Sequence, residues 1–404
     1  MNDVMEILLK HGKKHPSRVM EFQALVDGLF EEINRGNINV NYHPDFPHLA
    51  LFKYSIDCVA GRNWNVFTLM SRGLILDLKN KVVVASPFMK FFNFGEIESG
   101  SASIIESEFT VTEKMDGSLG IMFYYEGAWR VATCGSFTSE QAKWAEEWII
   151  SNHVVLRSAW KKNTYLFEII YPENKIVVNY NFSGLVLLAI FDPQGVEYSY
   201  EDLQVEASKK LRVAFVPKHD FDDMTSIVEK AETLTQNEEG YVIRFESGVR
   251  IKVKGAEYVR IHKLISKVTP LAIWDLLLNG DDLDEVKKEL PEELEKDFDT
   301  IVWILSQKLE SFVSEVEDMY DLTEHMSDKE LGLYLAQRPQ PFGKRKFNES
   351  IKYIFLMRKN KFHAALDDFS SLSRRKMFTA FRPKANVLLG YLPSSAATRF
   401  ADDL

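Results

Sequence analysis

The sequence predicts an α+β fold in which a mixed domain over residues 1–262 is followed by an all-helical domain over 263–404. Three observations carry this reading. From about Gly73 to Val253 the chain is a series of short β-branched and aromatic segments punctuated by Gly, Asn and Asp. After about Arg260 apolar residues recur at helical spacing, as in Val302, Leu305, Leu309, Phe312, Val316 and Met319, and strand signals nearly vanish. At 404 residues the chain is also too long for one ordinary core, so two domains of unequal size are expected.

Taken in order, the segment up to Arg35 reads as helical. Met5, Leu8 and Leu9, then Val19, Phe22, Leu25, Val26 and Leu29, fall at helical spacing, with a break at Pro16. Strands are expected over 73–78, 82–86, 109–113, 120–125, 129–133, 164–170, 185–191, 240–245 and 249–253. Only 139–160 interrupts them as a clear helix. No internal repeat is visible.

Composition excludes several classes. Hydrophobic residues make up 46% and charged residues 27%, and no apolar run approaches the roughly 20 residues of a membrane span. A soluble protein is expected. Met1-Asn2-Asp3-Val4 lacks the basic start and apolar stretch of a secretory signal, and Cys58 and Cys134 are the only cysteines. That combination fits a reducing cytoplasm with neither a disulfide framework nor a zinc site. A net charge of −10 speaks against nucleic acid as a partner, because phosphate binding rewards clustered Lys and Arg. The distribution reverses that impression: Asp275 to Glu330 holds 19 acidic and 5 basic residues, whereas Arg338 to Lys384 holds 13 basic and 3 acidic. Such a change of sign suggests a module with a phosphate-seeking side.

One constellation carries chemistry. Lys114-Met115-Asp116-Gly117 lies between two apolar runs, Glu239-Gly240 follows at long range, and Ile251-Lys252-Val253-Lys254 reads as a strand. An amine must be neutral to attack phosphorus, and a lysine of pKa about 10.4 is almost wholly protonated at pH 7. A divalent metal and neighbouring cations are therefore expected to lower the pKa of Lys114 and to neutralise a triphosphate. Lys252 and Lys254 alternate onto one strand face, which aims two charges at one phosphate group. Glu168 and Glu239 end or follow apolar strands and are candidates to hold Mg2+ or ribose hydroxyls. Singly, each element has a bland reading, a surface turn for Asp-Gly and a lysine-blunted edge for Ile-Lys-Val-Lys. In this order, the bland readings lose most of their weight.

These residues resemble the ATP-dependent RNA ligases of the covalent nucleotidyltransferase superfamily, and within it the bacteriophage RNA ligase 1 family. Lys114-Met115-Asp116-Gly117-Ser118 is similar to the motif whose lysine becomes linked to AMP. Ser71-Arg72-Gly73 and Lys90-Phe91-Phe92-Asn93-Phe94-Gly95-Glu96 resemble the family's Arg-Gly and Lys-Phe-Phe-Asn elements. Phe167-Glu168 with Pro172, Asn174 and Ile176-Val177, then Glu239-Gly240-Tyr241-Val242, then Lys252-Val253-Lys254 and Tyr258, resemble the later motifs. The likeness spans Ser71 to Tyr258; beyond it only size and helical character are shared.

The resemblance implies an adenylyltransferase domain of antiparallel sheets with helices, comparable to the ATP-grasp architecture, with an N-terminal helical extension. It implies that Lys114 forms a lysine-AMP intermediate, with Glu239, Lys252 and Lys254 catalytic beside it. Around the nucleotide it places Arg72, Lys90, Glu113, Gly117, Glu168, Val242 against the adenine, Lys252, Lys254 and Tyr258. Glu239 and Glu168 would hold Mg2+ or Mn2+. The implied activity joins an RNA 5′-phosphate to a 3′-hydroxyl with ATP. The substrate expected is tRNA nicked in its anticodon loop, the protein expected a monomer in the cytoplasm of a phage-infected bacterium. One departure stands out: where the family shows Lys-Gly-Ser, this chain has Cys134-Gly135-Ser136, and Arg130 is a candidate replacement charge.

The remaining candidates are read as structural. His43, His48 and His153 share no metal-ligand spacing. Trp144, Trp148 and Trp160 fit core packing, as does Phe191, which could otherwise stack on adenine. Lys344, Arg345 and Lys346, then Arg358, Lys359 and Lys361, then Arg374, Arg375 and Lys376, interleaved with Phe347, Phe362 and Phe378, read as an RNA-backbone surface. The rival enzymes are a DNA ligase and an mRNA-capping guanylyltransferase, both of which usually carry a β-barrel after the last motif. The rival outside enzymes is an RNA-binding protein on a degenerate transferase fold.

Overall fold

A computed structural model describes residues 2–96, 107–152, 160–266, 268–288, 290, 292–337, 353–359 and 382–383. The chain forms two compact units, Met1–His262 and Lys263–Ala401.

The first unit is built on three sheets. The first has strand order β1-β2-β3-β4, from Ile38–Tyr42, Leu49–Tyr54, Arg72–Asp77 and Val82–Ala85. The second has the order β11-β10-β9-β7-β8, from Ala214–Phe215, Gly184–Phe191, Thr164–Ile170, Ser118–Tyr125 and Ala128–Ala132. The third has the order β12-β6-β13-β14-β5, from Lys218–His219, Phe109–Glu113, Gly240–Phe245, Arg250–Lys254 and Phe92–Asn93. All pairings are antiparallel except β10 with β11 and β14 with β5. The class is α+β, as the sequence predicts.

Apolar residues at alternate positions close both faces of the first two sheets and one face of the third. One face of the first sheet packs Ala50, Phe52, Leu74 and Leu76 against Leu25 and Leu29 of the helix Phe22–Asn34. Its other face, through Leu49, Leu51 and Ile75, meets Ile121, Phe123, Leu166 and Ala189 of the second sheet. The far side of the second sheet is covered by Ala145 and Ile149 of the helix Glu140–Ser151 and by Leu203. The third sheet buries Val111, Ile243, Ile251 and Val253 under Ile227 and Ala231 of the helix Met224–Glu232, with Val4, Met5 and Leu8 of the helix Asn2–His11. Complete burial of Leu25 and Leu29 makes either Leu→Ala change worth about 2–5 kcal/mol.

Several expectations are corrected here. The helix predicted over 139–160 is Glu140–Ser151, capped by Ser139, and 153–159, with His153, lie outside the described residues. It does not stand alone among the strands: Ile56–Gly61, Val66–Met70, Tyr200–Val205 and Met224–Glu232 are also helical. Strands β1 and β2 precede the first one expected. Trp144 stacks on Tyr171 at 4.4 Å and on Trp148, in keeping with packing, but Trp160 is 63% exposed because it stands outside that helix. Phe191 is buried edge-on to His15 and Phe88.

Helices make up the described part of the second unit: Pro270–Asn279, Leu283–Lys288, Glu292–Thr323, Asp328–Gln337 and 353–358. Thr269 caps the first through Ala272 N, and Gly280 ends it in the left-handed conformation. Phe298, Ile301, Leu305, Phe312 and Val316 form the buried stripe of the 32-residue helix Glu292–Thr323. Among the described residues no helix is long and apolar enough to cross a membrane.

Candidate active site

The third sheet brings its catalytic candidates together by register. Val242 pairs with Lys252 on one side and Thr112 on the other, and Gly240 pairs with Lys254. Strand pleating then sets Thr112, Val242 and Lys252 in one row and Lys254 in the next. Lys114, the first residue beyond β6, donates its N–H to Gly240 O at 2.8 Å, which ties its backbone to the start of β13. Gly240 has φ +138°, and a Cβ there would stand 2.1 Å from Val253 O, so only glycine fits.

Glu239, 3% exposed, is the hub. Its Oε2 lies 2.6 Å from Lys114 Nζ and its Oε1 3.0 Å from Lys254 Nζ. Burial alone would raise the pKa of Glu239, but Lys114 and Lys254 hold it below the usual carboxylate range. For Lys114, burial is the largest influence and lowers its pKa, yet Glu239, Glu168 and Asp116 outweigh it and the net direction is up. The protein's own groups therefore do not produce the lowering expected of a divalent metal acting together with neighbouring cations. Lys252 is pushed down, to about 7, by burial and then by Lys114, Lys254, Lys90 and Arg72.

The loop after Lys114 is locked from below. Asp116 Oδ2 accepts the N–H groups of Val177 (2.9 Å) and Val178 (2.8 Å), and its Oδ1 accepts the Tyr258 hydroxyl at 2.8 Å. Burial and the charge of Glu239 nonetheless push Asp116 up to about 6. Tyr180 Oη accepts the Asp116 N–H at 2.9 Å, and Ser118 Oγ donates to Asn174 Oδ1 at 3.0 Å. A Cβ on Gly117 would stand 2.6 Å from Ile169 O and 3.3 Å from Glu168 Oε1. That close approach sets Glu168 beside the Lys114 loop. Asp116, Tyr180 and Asn174 were not singled out as site residues from sequence; the Asp-Gly of the lysine motif was the available signal for the first.

The remaining candidates divide. Arg72 lies over the Phe91 ring at 5.0 Å and Lys252 near the same ring at 5.9 Å, which brings β3 and β14 to one aromatic surface. Lys90 sits among Tyr54, Trp64 and Phe92 at 5.4–5.6 Å from their centroids. Burial first and Arg72 next lower its pKa. Tyr258 is 2% exposed, so the structure gives it a supporting place under Asp116. Glu113 turns its carboxylate to His219, Oε2 to Nε2 3.8 Å, and its pKa is raised chiefly by burial.

Arg130 packs on an aromatic ring. Its guanidinium lies over Phe46 at 4.7 Å and its Nε donates to Tyr125 O. His43 and His48 have structural partners, Asp45 N and Tyr125 Oη. Cys58 and Cys134 are not joined in a disulfide. Of the C-terminal basic residues, Arg358 pairs with Asp328 at 3.1 Å and donates to the carbonyls of Thr323, Glu324 and Met326. Arg382 pairs with Asp275 at 2.8 Å. Lys344, Arg345, Lys346, Lys361, Arg374, Arg375 and Lys376, with Phe347, Phe362 and Phe378, lie outside the described residues.

Among the described residues no group of three or more His, Cys, Asp or Glu is arranged to hold a metal ion. Glu239 and Glu168 still suit a hard divalent cation. Mg2+ characteristically takes one or two carboxylates and completes its shell with water and substrate phosphates.

A lysine, a buried carboxylate and a row of cations thus meet at the ends of packed antiparallel sheets. A family model described as RNA ligase matches residues 70–258. That segment, just under half of the chain, is similar to RNA ligases, and its motifs resemble the bacteriophage RNA ligase 1 type. An RNA ligase of Rhodothermus phage RM378 is 21% identical over 346 residues, 65% of this chain and 78% of that one. RNA ligase 1 of bacteriophage TS2126 is 27% identical over 202 residues, 47% and 48%. A relative from Thermovibrio ammonificans is 28% identical over 226 residues, 52% and 58%. The match thus spans only about half the length of the last two relatives. Among solved structures, an archaeal ATP-dependent RNA ligase aligns over 86% of this chain and 83% of its own, at 12% identity and a TM-score of 0.46.

Proposed function

We propose that the protein is an ATP-dependent RNA ligase that joins a 5′-phosphate to a 3′-hydroxyl through AMP carried on Lys114. The observation that carries this reading is the meeting of Lys114, Glu239 and Lys254 within 2.6–3.0 Å, with Lys252 on the same strand face. In the first step Lys114 Nζ bonds to the α-phosphorus of ATP and pyrophosphate leaves. AMP then passes to the RNA 5′-phosphate, and the 3′-hydroxyl displaces it. A divalent cation held by Glu239 and Glu168 would neutralise phosphate charge. Lys114 becomes a better nucleophile once the Glu239 carboxylate turns from it, because that pairing is what keeps it an ammonium. Lys252, Lys254, Arg72 and Lys90 bind and orient the phosphates, Val242 lies against the adenine, and Asp116 with Tyr258 fixes the loop that aims Lys114.

The physiological role proposed is repair of tRNA nicked in its anticodon loop, by a monomer in the cytoplasm of a phage-infected bacterium. The helical unit would select the RNA. Helices follow Lys254, and among the described residues no strand does, which favours this reading over a DNA ligase or a capping guanylyltransferase. The test is sealing of a nicked tRNA with Mg2+ and either ATP or GTP, beside a nicked DNA duplex. Joining of the RNA with ATP is expected. Activity with GTP alone, or with DNA alone, overturns the proposal.

A further inference from the structure

We propose that Lys53 is a polyphosphate-binding residue of this site and supplies the cation that Cys134 does not. The inference rests on the ligase reading above and adds to it a residue from outside the resembling segment. Strand β2 ends Phe52-Lys53-Tyr54, and a bulge between Phe52 and Lys53 shifts the register so that Lys53 pairs with Arg72. The neighbouring Gly73 has φ +96°, and a Cβ there would meet Cys134 Cα at 3.1 Å. The turn through Cys134-Gly135 is closed by Thr133 N–H to Ser136 O at 2.9 Å and fastened to β1 by Asn41 Nδ2 to Gly135 O at 2.5 Å. A Cβ on Gly135 would stand 3.2 Å from Lys53 Cδ and 3.7 Å from its Nζ. The Lys53 ammonium therefore lies over the turn next to Cys134, and Lys53, Arg72, Phe91 and Lys252 form a continuous path of neighbours.

The chemistry calls for such a charge. Once Lys114 Nζ has lost a proton, its lone pair forms the N–P bond. The bond from Pα to the bridging oxygen breaks, and its electron pair leaves with pyrophosphate. Negative charge grows on the departing group, which is where a further fixed cation stabilises the transition state more than the ground state. A lysine that merely shields a strand end from solvent would have no such step-specific effect.

In the full-length protein, Lys53→Ala should slow adduct formation from ATP by roughly 10²-fold, the scale of one well-placed transition-state interaction. Sealing of pre-adenylylated RNA, which involves no pyrophosphate, should fall far less. Adding Cys134→Lys to Lys53→Ala should restore at least about tenfold of the loss, because the new side chain starts from the same turn. Normal adduct formation by Lys53→Ala at subsaturating ATP overturns the proposal, as does equal loss of both steps without rescue. If the wild-type chain forms no adduct with ATP, the ligase reading fails and takes this one with it.

Discussion

At neutral pH Lys252 stands near its own titration midpoint, because burial and the charges of Lys114, Lys254, Lys90 and Arg72 push its pKa to about 7. A bound polyphosphate favours the ammonium, so nucleotide binding should take up protons near pH 7.5. Titration calorimetry with α,β-methylene ATP in two buffers of different ionisation enthalpy reads that uptake, and Lys252→Met should abolish most of it. The same shift sets a stability slope. Between about pH 7 and the ordinary lysine value the unfolded chain binds more protons at this residue than the folded one, so its contribution to stability rises with pH. Lys252→Met should flatten urea midpoints compared between pH 7 and 9. An undiminished slope in the variant assigns it to other groups. Lys254→Ala should lower adduct yield by roughly 10²-fold, since it removes one of two cations on Glu239. Lys114 was legible because its Lys-x-Asp-Gly setting is compact. The work of Asp116 was not, because its partners Val177, Val178 and Tyr258 are 61 to 142 residues away.

The site depends on where three strands end, and Gly240 is the tightest point among them. With φ +138° and Val253 O facing the missing Cβ, Gly240→Ala should destabilise the protein by about 2–4 kcal/mol and separate Lys114 from Lys254. A urea midpoint within error of wild type would contradict this. At this scale the sequence was legible where β-branched and aromatic residues cluster between turn residues: β6, β9 and β13 have the limits expected of them. Helices Ile56–Gly61 and Val66–Met70 escaped because five or six residues give barely one turn of periodicity. Their starts rest on local caps, Ser55 to Cys58 N and the Asn65–Thr68 box. Strand β1 is an edge strand whose Asn39, Tyr42 and Asn41 are exposed, so it lacks a continuous apolar signal. Arg358 looked like part of an RNA-binding surface, yet its charge satisfies helix-end carbonyls, a use that residue type alone does not distinguish.

For the whole molecule, the proposal that the helical unit selects the RNA rests on its charge, which changes sign between Asp275–Glu330 and Arg338–Lys384. Charge reversal at Arg374, Arg375 and Lys376 should weaken RNA binding and lower the salt slope by roughly one for each phosphate no longer neutralised, while AMP transfer to Lys114 persists. Filter binding across a salt series checks this; an unchanged slope and unchanged preference for nicked tRNA over unstructured RNA would put selectivity in the first unit. The central claim is that Lys114 carries AMP. It is tested most directly by incubating the full-length protein with ATP and Mg2+, weighing it intact and mapping the modified peptide. One added AMP per chain on Lys114, absent from Lys114→Ala, is the expected result; AMP on another residue, or an undiminished adduct in that variant, would contradict the account.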